Sequence, residues 1–174
     1  SGSGSNKVQL IKSMDDNHPA FPSVVISNKL DAPGLEKARS LGVPTEVIDR
    51  NYIKNNDLDF EKELIKILKV YNVELICLAG FMKILSKDFI KKFKGKIINI
   101  HPSLLPKYKG LNTHFRAIKN KDKYSGCTVH LVNSKLDSGR IINQKRVRIN
   151  KLDTPKTLAK KILIQEHKLY PTAI

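Results

Sequence analysis

Short β-branched runs alternate with longer amphipathic segments through the first hundred residues of the chain. Four runs of apolar residues with high β propensity predict strands, at 22–27, 45–49, 74–80 and 96–100. Three segments with apolar residues at every third or fourth position predict helices, at 33–42, 59–71 and 86–93. This alternation is typical of α/β proteins, so we expect a mostly parallel central sheet with helices on both faces, in three layers.

The boundaries of these helices have their own sequence signals. We expect Gly42 to end the helix at 33–42, because glycine readily adopts the left-handed conformation found after helix ends. Ser86 is expected to cap the helix at 86–93, since a serine side chain can accept from the first-turn N–H groups. In the helix at 59–71 the apolar positions share one face: Phe60, Leu64, Ile67, Leu68 and Tyr71.

After Ile100 the pattern changes. A loop with two prolines leads to a predicted helix at 113–120. GCTVHLV and RIINQKRVRI then predict two antiparallel strands joined by NSKLDSG. Thr154 and Pro155 mark the start of the last helix. Glu166 falls on the apolar stripe of that helix, where a carboxylate needs a hydrogen-bond partner. The partner of Glu166 could belong to a salt bridge or to a functional contact, and the pattern does not decide between them.

Composition limits the classes of function that need to be considered. The chain has 174 residues, 40% of them hydrophobic and 28% charged, which is typical of one globular domain. The longest apolar run, 75–82, is too short to cross a bilayer, and no secretory signal opens the chain, so we expect a cytoplasmic protein. Cys77 and Cys127 match neither a metal-binding spacing nor a disulfide framework, and we expect two buried thiols.

The net charge of +16 first suggests a nucleic-acid partner. However, 26 of the 32 basic residues are lysines, and they are spread over nearly every predicted element. No basic stretch is interleaved with aromatic residues, as single-strand binding requires. The distribution favours a solvated lysine-rich surface over a nucleic-acid partner. Since no apolar run could span a bilayer, we expect no membrane partner either.

The opening residues, SGSGSN, have two interpretations. Alternating serine and glycine is typical of a flexible linker. A glycine turn that runs into a helix start is also typical of a phosphate-binding loop, because its backbone N–H groups are free to bind an anion. The residues themselves leave both interpretations open.

Candidate catalytic residues lie at the end of the fourth predicted strand. Asn99 and His101 project to the same side because side chains alternate along a strand, and Pro102 keeps His101 extended. Asp137, in the turn LDSG, is the third candidate, and contact with His101 would raise the pKa of the imidazole. The alternative to a catalytic role is that these three side chains only form hydrogen bonds with backbone groups of their loops. The other histidines are expected to be surface or packing residues: His18, His114, His130 and His167.

Several motifs together resemble one enzyme family. NIHPSLLPKYKGLNTH, followed by HLVNSKLDSG, is similar to the glycinamide ribonucleotide formyltransferase family of folate-dependent enzymes. SNKLDAPGLEKARSLG, LAGFMKIL and QEHKLYP extend the resemblance over nearly the whole chain. It implies an α/β, Rossmann-like formyltransferase fold in a single domain, 1–174. The phosphate-binding half would cover about 1–98, and the folate-binding and catalytic half about 99–174.

The resemblance also implies a reaction. The formyl group of 10-formyltetrahydrofolate would pass to the primary amine of glycinamide ribonucleotide, in purine biosynthesis, with no metal. Asn99 and protonated His101 would stabilise the oxyanion, while Asp137 would keep the imidazole charged and assist proton transfer. In the family an SGxGSN loop follows a first strand and binds phosphate, so the resemblance favours the phosphate-loop interpretation of 1–6.

The remaining site residues follow from the same resemblance. Ribonucleotide would be bound by the phosphate loop, by residues near the catalytic strand, and by the last helix: Gly4, Ser5, Asn6, Met82, Ile100, Pro102 and Glu166. Folate would be bound, mainly through backbone groups, by two loops and Asn99: Met82, Lys83, Ile84, Leu85, Asn133, Ser134, Lys135, Leu136 and Asp137. Relatives often have a basic residue near Asp57 for the folate tail, and this chain has an acid.

Other functions are weighed against this one. Methionyl-tRNA formyltransferase shares the Asn-x-His and Asp pattern, but it carries RGAAP where this chain has KGLNTH, and it has a further tRNA-binding domain. Formyltetrahydrofolate hydrolase is a second folate enzyme with this pattern. A basic nucleic-acid-binding module would not need Asn99 or His101, and a nucleotide-binding regulator would not need Asp137. We expect small-molecule substrates and a monomer or homodimer.

Overall fold

The computed structural model describes residues 4–49, 57–81 and 83–174 and divides the chain into two units, Ser1–Lys96 and Ile97–Ile174. The described elements of the first unit are helices α1 (Ser5–Ser13), α2 (Pro33–Arg39), α3 (Asp57–Val70) and α4 (Lys87–Lys92), with strands β1 (Val25–Ser27), β2 (Thr45–Val47) and β3 (Leu75–Leu78). The elements of the second unit are β4 (Lys96–His101), α5 (Thr113–Lys119), β5 (Tyr124–Leu131), β6 (Ile141–Arg148), α6 (Pro155–Leu169) and a 3₁₀ turn (Pro171–Ala173). All the predicted helices and strands are present, and the predicted α/β class is confirmed.

The first unit is built around a parallel pair of strands. β1 and β2 pair in parallel, with Val25 opposite Thr45 and Ser27 opposite Val47. Helices α1 and α2 bury apolar side chains beside this pair, in a core of Ile11, Val25, Leu35, Ala38 and Val43. This packing follows from the alternating strand–helix pattern, because each crossover helix must cover the sheet that it connects.

Helix α2 ends earlier than predicted. Its last residue is Arg39, and Gly42 lies in the turn that follows, with φ 75°. The N–H of Gly42 donates to the carbonyl of Arg39, and the N–H of Val43 donates to that of Ala38. Gly42 therefore supplies the left-handed turn that sequence reasoning assigned to it, but beyond the helix rather than at its last residue.

Helices α3 and α4 follow their predicted signals closely. Phe60, Leu64 and Leu68 are buried on one face of α3, whereas Ile67 and Tyr71 of the predicted stripe are half-buried. Ser86 caps α4 by accepting from the N–H of Phe89 at 3.0 Å. The buried carboxylate of Glu61 accepts in turn from the N–H of Ser86 at 2.7 Å. This side chain links α3 to the start of α4.

The second unit contains an antiparallel sheet in which β5 lies between β4 and β6. His101 is opposite Thr128, and Asn99 is opposite His130. β5 pairs along its length with β6, from Tyr124 opposite Arg148 to His130 opposite Ile141, so the predicted antiparallel pair is confirmed. Strand β5 is buried on both faces from 125 to 130, as expected of the central strand.

Helix α6 covers this sheet and starts as predicted. Thr154 and Thr157 form a capping box, in which each side chain accepts from the backbone N–H of the other. Its predicted stripe is buried: Leu158, Ile162, Glu166 and Leu169. The hydroxyl of fully buried Tyr170 donates to the carbonyl of Ile98 at 3.2 Å and fixes the end of the helix to β4.

The two cysteines differ in burial. Cys127 is fully buried, as expected, and burial raises the pKa of its thiol to about 12, which makes it unreactive. Cys77 is half-buried. None of the helices in the described residues combines the length and the apolarity needed to cross a membrane.

Candidate active site

The end of β4 presents Asn99 and His101 on one face of the sheet. The alternation predicted from the sequence holds: Ile98 and Ile100 are buried on the opposite side, and His101 is only 6% exposed. Because Asn99 is opposite His130 across the ladder, their side chains share that face, and Nδ2 of Asn99 lies 3.3 Å from Nε2 of His130. Two imidazoles and an amide therefore meet at this point.

His101 is held between a carbonyl and a carboxylate. Its Nε2 lies 2.9 Å from the carbonyl oxygen of Tyr108, which only accepts, so Nε2 carries a proton. Its Nδ1 lies 3.3 Å from Oδ2 of Asp137. The neutral imidazole therefore has its lone pair on Nδ1, and a proton taken up there is received beside a carboxylate.

Asp137 is anchored in a left-handed turn. Its φ is 43°, and its side chain is 10% exposed. Oδ2 accepts from the N–H of Gly110 at 2.8 Å, which joins the 132–140 turn to the loop after β4. Asp137 follows His101 by 36 positions in the sequence, and that separation alone does not predict a contact between them. The structure brings the two side chains together.

The pKa of Asp137 and that of His101 are both below their ordinary values. Burial raises the pKa of Asp137, but the nearby imidazole of His130, the hydrogen bond from Gly110 and the positive field of His101 outweigh it. Burial is also the main influence on His101, where it lowers the pKa. The hydrogen bond to the Tyr108 carbonyl and the negative charge of Asp137 both raise this pKa, but they do not cancel the effect of burial. The prediction that Asp137 raises the pKa of His101 is thus confirmed for this pair. The pKa of His101 is nevertheless lowered, because the desolvation of the imidazolium outweighs the effect of the carboxylate.

His130 is a site residue that sequence reasoning missed. It is 2% exposed, and its Nδ1 donates to the carbonyl of Leu131 at 2.8 Å. Its Nε2 contacts the amide of Asn99 and lies 3.6 Å from Oδ1 of Asp137. The available signal was a histidine in the middle of a strand buried on both faces, since a buried polar ring requires partners.

Buried hydroxyls fix the loop that follows β4. Thr128 of β5 donates to the carbonyl of Ser103 at 2.6 Å and accepts from the N–H of Leu105 at 3.1 Å. Ser103, fully buried, donates to the carbonyl of Lys107 at 2.6 Å. The backbone of Tyr108 is thereby placed against His101, so the orientation of the imidazole depends on the packing of β5 as well as on β4.

The opening glycine loop has a defined backbone. Gly4 is the N-cap of α1 with φ 69°, and a Cβ at this position would lie 2.9 Å from Cα of Gly34. A side chain is therefore excluded by both conformation and space. Ser5 and Asn6 begin the helix, so their N–H groups are at its positive end. Residues 1–3 of the predicted phosphate loop lie outside the described residues.

The predicted folate-binding residues occupy two separate loops, one in each unit. Between β3 and α4, Leu85 is buried, Ile84 is exposed, and Nζ of Lys83 lies 5.3 Å from the ring centroid of Phe60. Met82 and the side chain of Asp57 lie outside the described residues. In the loop after β5, the N–H of Lys135 donates to Oδ1 of Asn133 at 2.9 Å. Asn133, Lys135 and Leu136 are exposed there, and Ser134 is partly exposed.

Glu166 lines a pocket of about 380 Å³ in the second unit. Its side chain is buried on the apolar stripe of α6, as predicted. The other lining residues come from the loop after β4, α5 and α6: Pro102, His114, Lys156, Ala159, Lys160 and Leu163. Pro102 and Glu166, both predicted to bind ribonucleotide, therefore lie in the same pocket. Ile100 is buried on the opposite side of β4 from His101.

This arrangement is suited to acyl-group chemistry. An amide donor and an imidazole that can accept a proton at Nδ1 lie beside an ionised carboxylate, and such groups stabilise an oxyanion and move protons. Over 4–49, 57–81 and 83–174, no group of three or more His, Cys, Asp or Glu side chains is arranged to hold a metal ion.

Comparison with known proteins gives consistent matches over the whole chain. The sequence profile of the family described as "Formyl transferase" matches residues 1–174. Phosphoribosylglycinamide formyltransferase from Escherichia coli is 39% identical, over all of this chain and 82% of its own length. The crystal structure of glycinamide ribonucleotide transformylase 1 from Symbiobacterium toebii is 39% identical with a TM-score of 0.95, over all of this chain and 82% of that one.

A larger relative matches equally well over a part of its length. The human trifunctional purine biosynthetic protein adenosine-3 is 43% identical over all of this chain. The chain spans about 17% of the length of that protein. Residues 1–6 fall within every one of these matches, which favours a native loop over a linker for the opening glycines.

Proposed function

The chain belongs to the formyl transferase family, and we propose that it transfers the formyl group of 10-formyltetrahydrofolate to the amine of N1-(5-phospho-D-ribosyl)glycinamide. The products are the N-formyl ribonucleotide and tetrahydrofolate, in purine biosynthesis. One observation carries this proposal. His101, on the strand that also presents Asn99, lies 3.3 Å from Asp137 in the turn after β5, and the chain is 39% identical to a phosphoribosylglycinamide formyltransferase.

In the proposed reaction the amine nitrogen attacks the formyl carbon, which produces a tetrahedral oxyanion. The new C–N bond forms first, and the attacking nitrogen gives up a proton. The bond from the formyl carbon to the folate nitrogen then breaks as that nitrogen takes up a proton. The amide of Asn99, oriented by His130, donates to the oxyanion. His101 accepts a proton at Nδ1 and donates it toward the same oxygen, while Asp137 stays ionised beside it.

The lowered pKa of His101 gives this arrangement a catalytic advantage. Burial makes the imidazolium unfavourable in the resting site. The oxyanion adds a second negative charge next to that of Asp137, so the imidazolium becomes favourable as the reaction proceeds. The interaction is then stronger in the transition state than in the ground state, which is the condition for lowering the barrier.

The substrate-binding residues extend the proposal. Gly4, Ser5 and Asn6 would hold the ribonucleotide phosphate through the helix N-terminus. Glu166 would accept from the ribose hydroxyls, with Met82, Ile100 and Pro102 as further contacts. The loops at 82–85 and 133–137, with Asn99, would bind the folate, mainly through backbone groups. We expect cytoplasmic location, small-molecule partners and no resident metal.

A single assay with alternative acceptors tests the proposal. Purified protein is given 10-formyltetrahydrofolate with glycinamide ribonucleotide, charged initiator tRNA or water, and tetrahydrofolate release is followed. We expect turnover only with the ribonucleotide. Turnover with the tRNA or with water would instead support methionyl-tRNA formyltransferase or formyltetrahydrofolate hydrolase activity. A His101→Gln variant serves as the control for contaminating enzyme.

A further inference from the structure

Tyr108 has a backbone conformation that bulky side chains rarely adopt. Its φ is 56°, in the left-handed region, where the β-carbon is crowded by the residue's own backbone. Such a conformation persists only where the surrounding structure holds it, and it is found often at functional sites. The carbonyl of Tyr108 accepts from Nε2 of His101 at 2.9 Å. A strained residue therefore contacts the candidate catalytic imidazole directly.

The side chain of Tyr108 is anchored by α5 and by the turn that follows it. Its hydroxyl donates to Oδ2 of Asp122 at 2.8 Å and accepts from Nδ2 of Asn120 at 2.9 Å. The guanidinium of Arg116 lies 4.9 Å from the ring centroid and donates to the carbonyl of Lys109 at 2.7 Å. The ring and the adjoining backbone are thus held by the same elements, which keeps the Tyr108 carbonyl in place.

The same loop also holds the carboxylate partner of His101. Gly110, two residues after Tyr108, donates its N–H to Oδ2 of Asp137 at 2.8 Å. That oxygen lies 3.3 Å from Nδ1 of His101. The loop after β4 therefore fixes the acceptor at each ring nitrogen, the carbonyl at Nε2 and the carboxylate at Nδ1.

The position of the Tyr108 carbonyl decides which nitrogen of the neutral imidazole carries the proton. A proton on Nδ1 would bond to Asp137, but the lone pair of Nε2 would then face a carbonyl oxygen at 2.9 Å. A proton on Nε2 makes that contact a hydrogen bond and leaves Nδ1 able to take up a proton. Burial lowers the pKa of His101, and the bond to Tyr108 is the strongest of the influences that raise it.

We propose that Tyr108 is a positioning residue, whose anchored side chain holds the carbonyl that keeps the proton of neutral His101 on Nε2. Asp122 contributes by accepting from the Tyr108 hydroxyl. Both residues act through the imidazole rather than on the substrate. The effect on turnover rests on the proposed formyl transfer, whereas the tautomer is a property of the free protein and is measured without substrate.

The test measures the tautomer of His101 and the rate of formyl transfer in the same variants. Protein labelled with ¹⁵N in histidine is studied by NMR at about pH 8, where the imidazole is neutral, and the His101→Gln spectrum assigns the signals. We expect the wild-type ring to be protonated at Nε2. Tyr108→Phe, which removes only the hydroxyl, should populate the Nδ1-protonated tautomer and lower kcat about tenfold, with little change in either KM.

Matched variants separate the anchoring contact from other effects. Asp122→Ala removes the acceptor of the Tyr108 hydroxyl and should produce the same two changes. Asp122→Asn keeps an oxygen that can accept and should retain more of kcat, because the lost ion pair is with a largely exposed lysine. Tyr124→Phe is the control, since the Tyr124 hydroxyl forms no hydrogen bond with a described residue, and it should leave tautomer and kcat unchanged.

The two measurements have distinct outcomes. A loss of kcat in Tyr108→Phe with an unchanged tautomer would overturn the proposal, because it indicates a general effect on the loop. An altered tautomer with wild-type kcat, or equal losses of kcat in Tyr108→Phe and Tyr124→Phe, would overturn it as well. If the wild-type protein does not formylate the ribonucleotide, the proposed function fails, and the tautomer measurement still decides whether Tyr108 fixes the imidazole.

Discussion

Replacing Asp137 by asparagine tests how strongly the carboxylate controls His101. The substitution removes a charge but preserves the shape of the side chain, and its amide oxygen can still accept from Gly110. At the observed 3.3 Å and an effective dielectric constant of about 20, the interaction of a full charge pair is roughly 5 kcal/mol. Because the carboxylate favours the imidazolium, its removal should lower the pKa of His101 further.

The expected consequence is a loss of turnover with little loss of binding. Without the carboxylate, the imidazolium that donates to the oxyanion is no longer stabilised, so we expect kcat for formyl transfer to fall about 10²- to 10⁴-fold. The KM for both substrates should change little. Steady-state kinetics at pH 7 measures both constants, and the ring resonances of His101, titrated by NMR, measure its pKa directly.

A matched carboxylate provides the control. Asp153 accepts from Lys161 at 2.7 Å, remote in sequence from the cluster, so Asp153→Asn should retain the wild-type kcat. A folded Asp137→Asn protein with wild-type kcat, or with an unchanged His101 pKa, would refute the reasoning. A fall in kcat shared equally by the two variants would indicate a general structural effect.

Three further perturbations test other parts of the structure. Gly4→Ala should lower the free energy of unfolding by about 1–3 kcal/mol and raise the KM for ribonucleotide but not for folate. Gly42→Ala is the control, because Gly42 also has a positive φ but an added Cβ there would meet nothing within 4 Å. It should leave both KM values unchanged. Glu166→Gln should raise the KM for ribonucleotide more than that for folate, and equal increases would contradict the ribose assignment. Because the pKa values of His101 and Asp137 are lowered in the folded state, the unfolded chain binds more protons in acid, so the free energy of unfolding should fall as the pH drops below about 6.5 and again below about 4. Urea unfolding across this range measures the effect. His101→Gln should make its upper part shallower, and the part that remains comes from His114 and His167, whose pKa values burial also lowers.

Local signals in the sequence determined most of the secondary structure. The caps at Ser86 and Thr154, the buried stripe of α6 with Glu166, and the shared face of Asn99 and His101 were all predicted correctly. Each depends on neighbours within about four residues along the chain, through a hydrogen bond to the next turn or the repeat of a helix or strand. The resemblance to formyltransferases also came from contiguous motifs, and the family match confirmed it.

The tertiary structure alone decided the contacts and electrostatics of the site. His101 meets Asp137 because the turn after β5 folds back to Gly110, and His130 joins them because the ladder places it opposite Asn99. Neither pairing has a local signal, since register and loop packing depend on the whole sheet. The net direction of the His101 pKa also depended on the tertiary structure. The effect of a charged partner can be inferred from the sequence, but the desolvation that outweighs it exists only once the surrounding chain has packed.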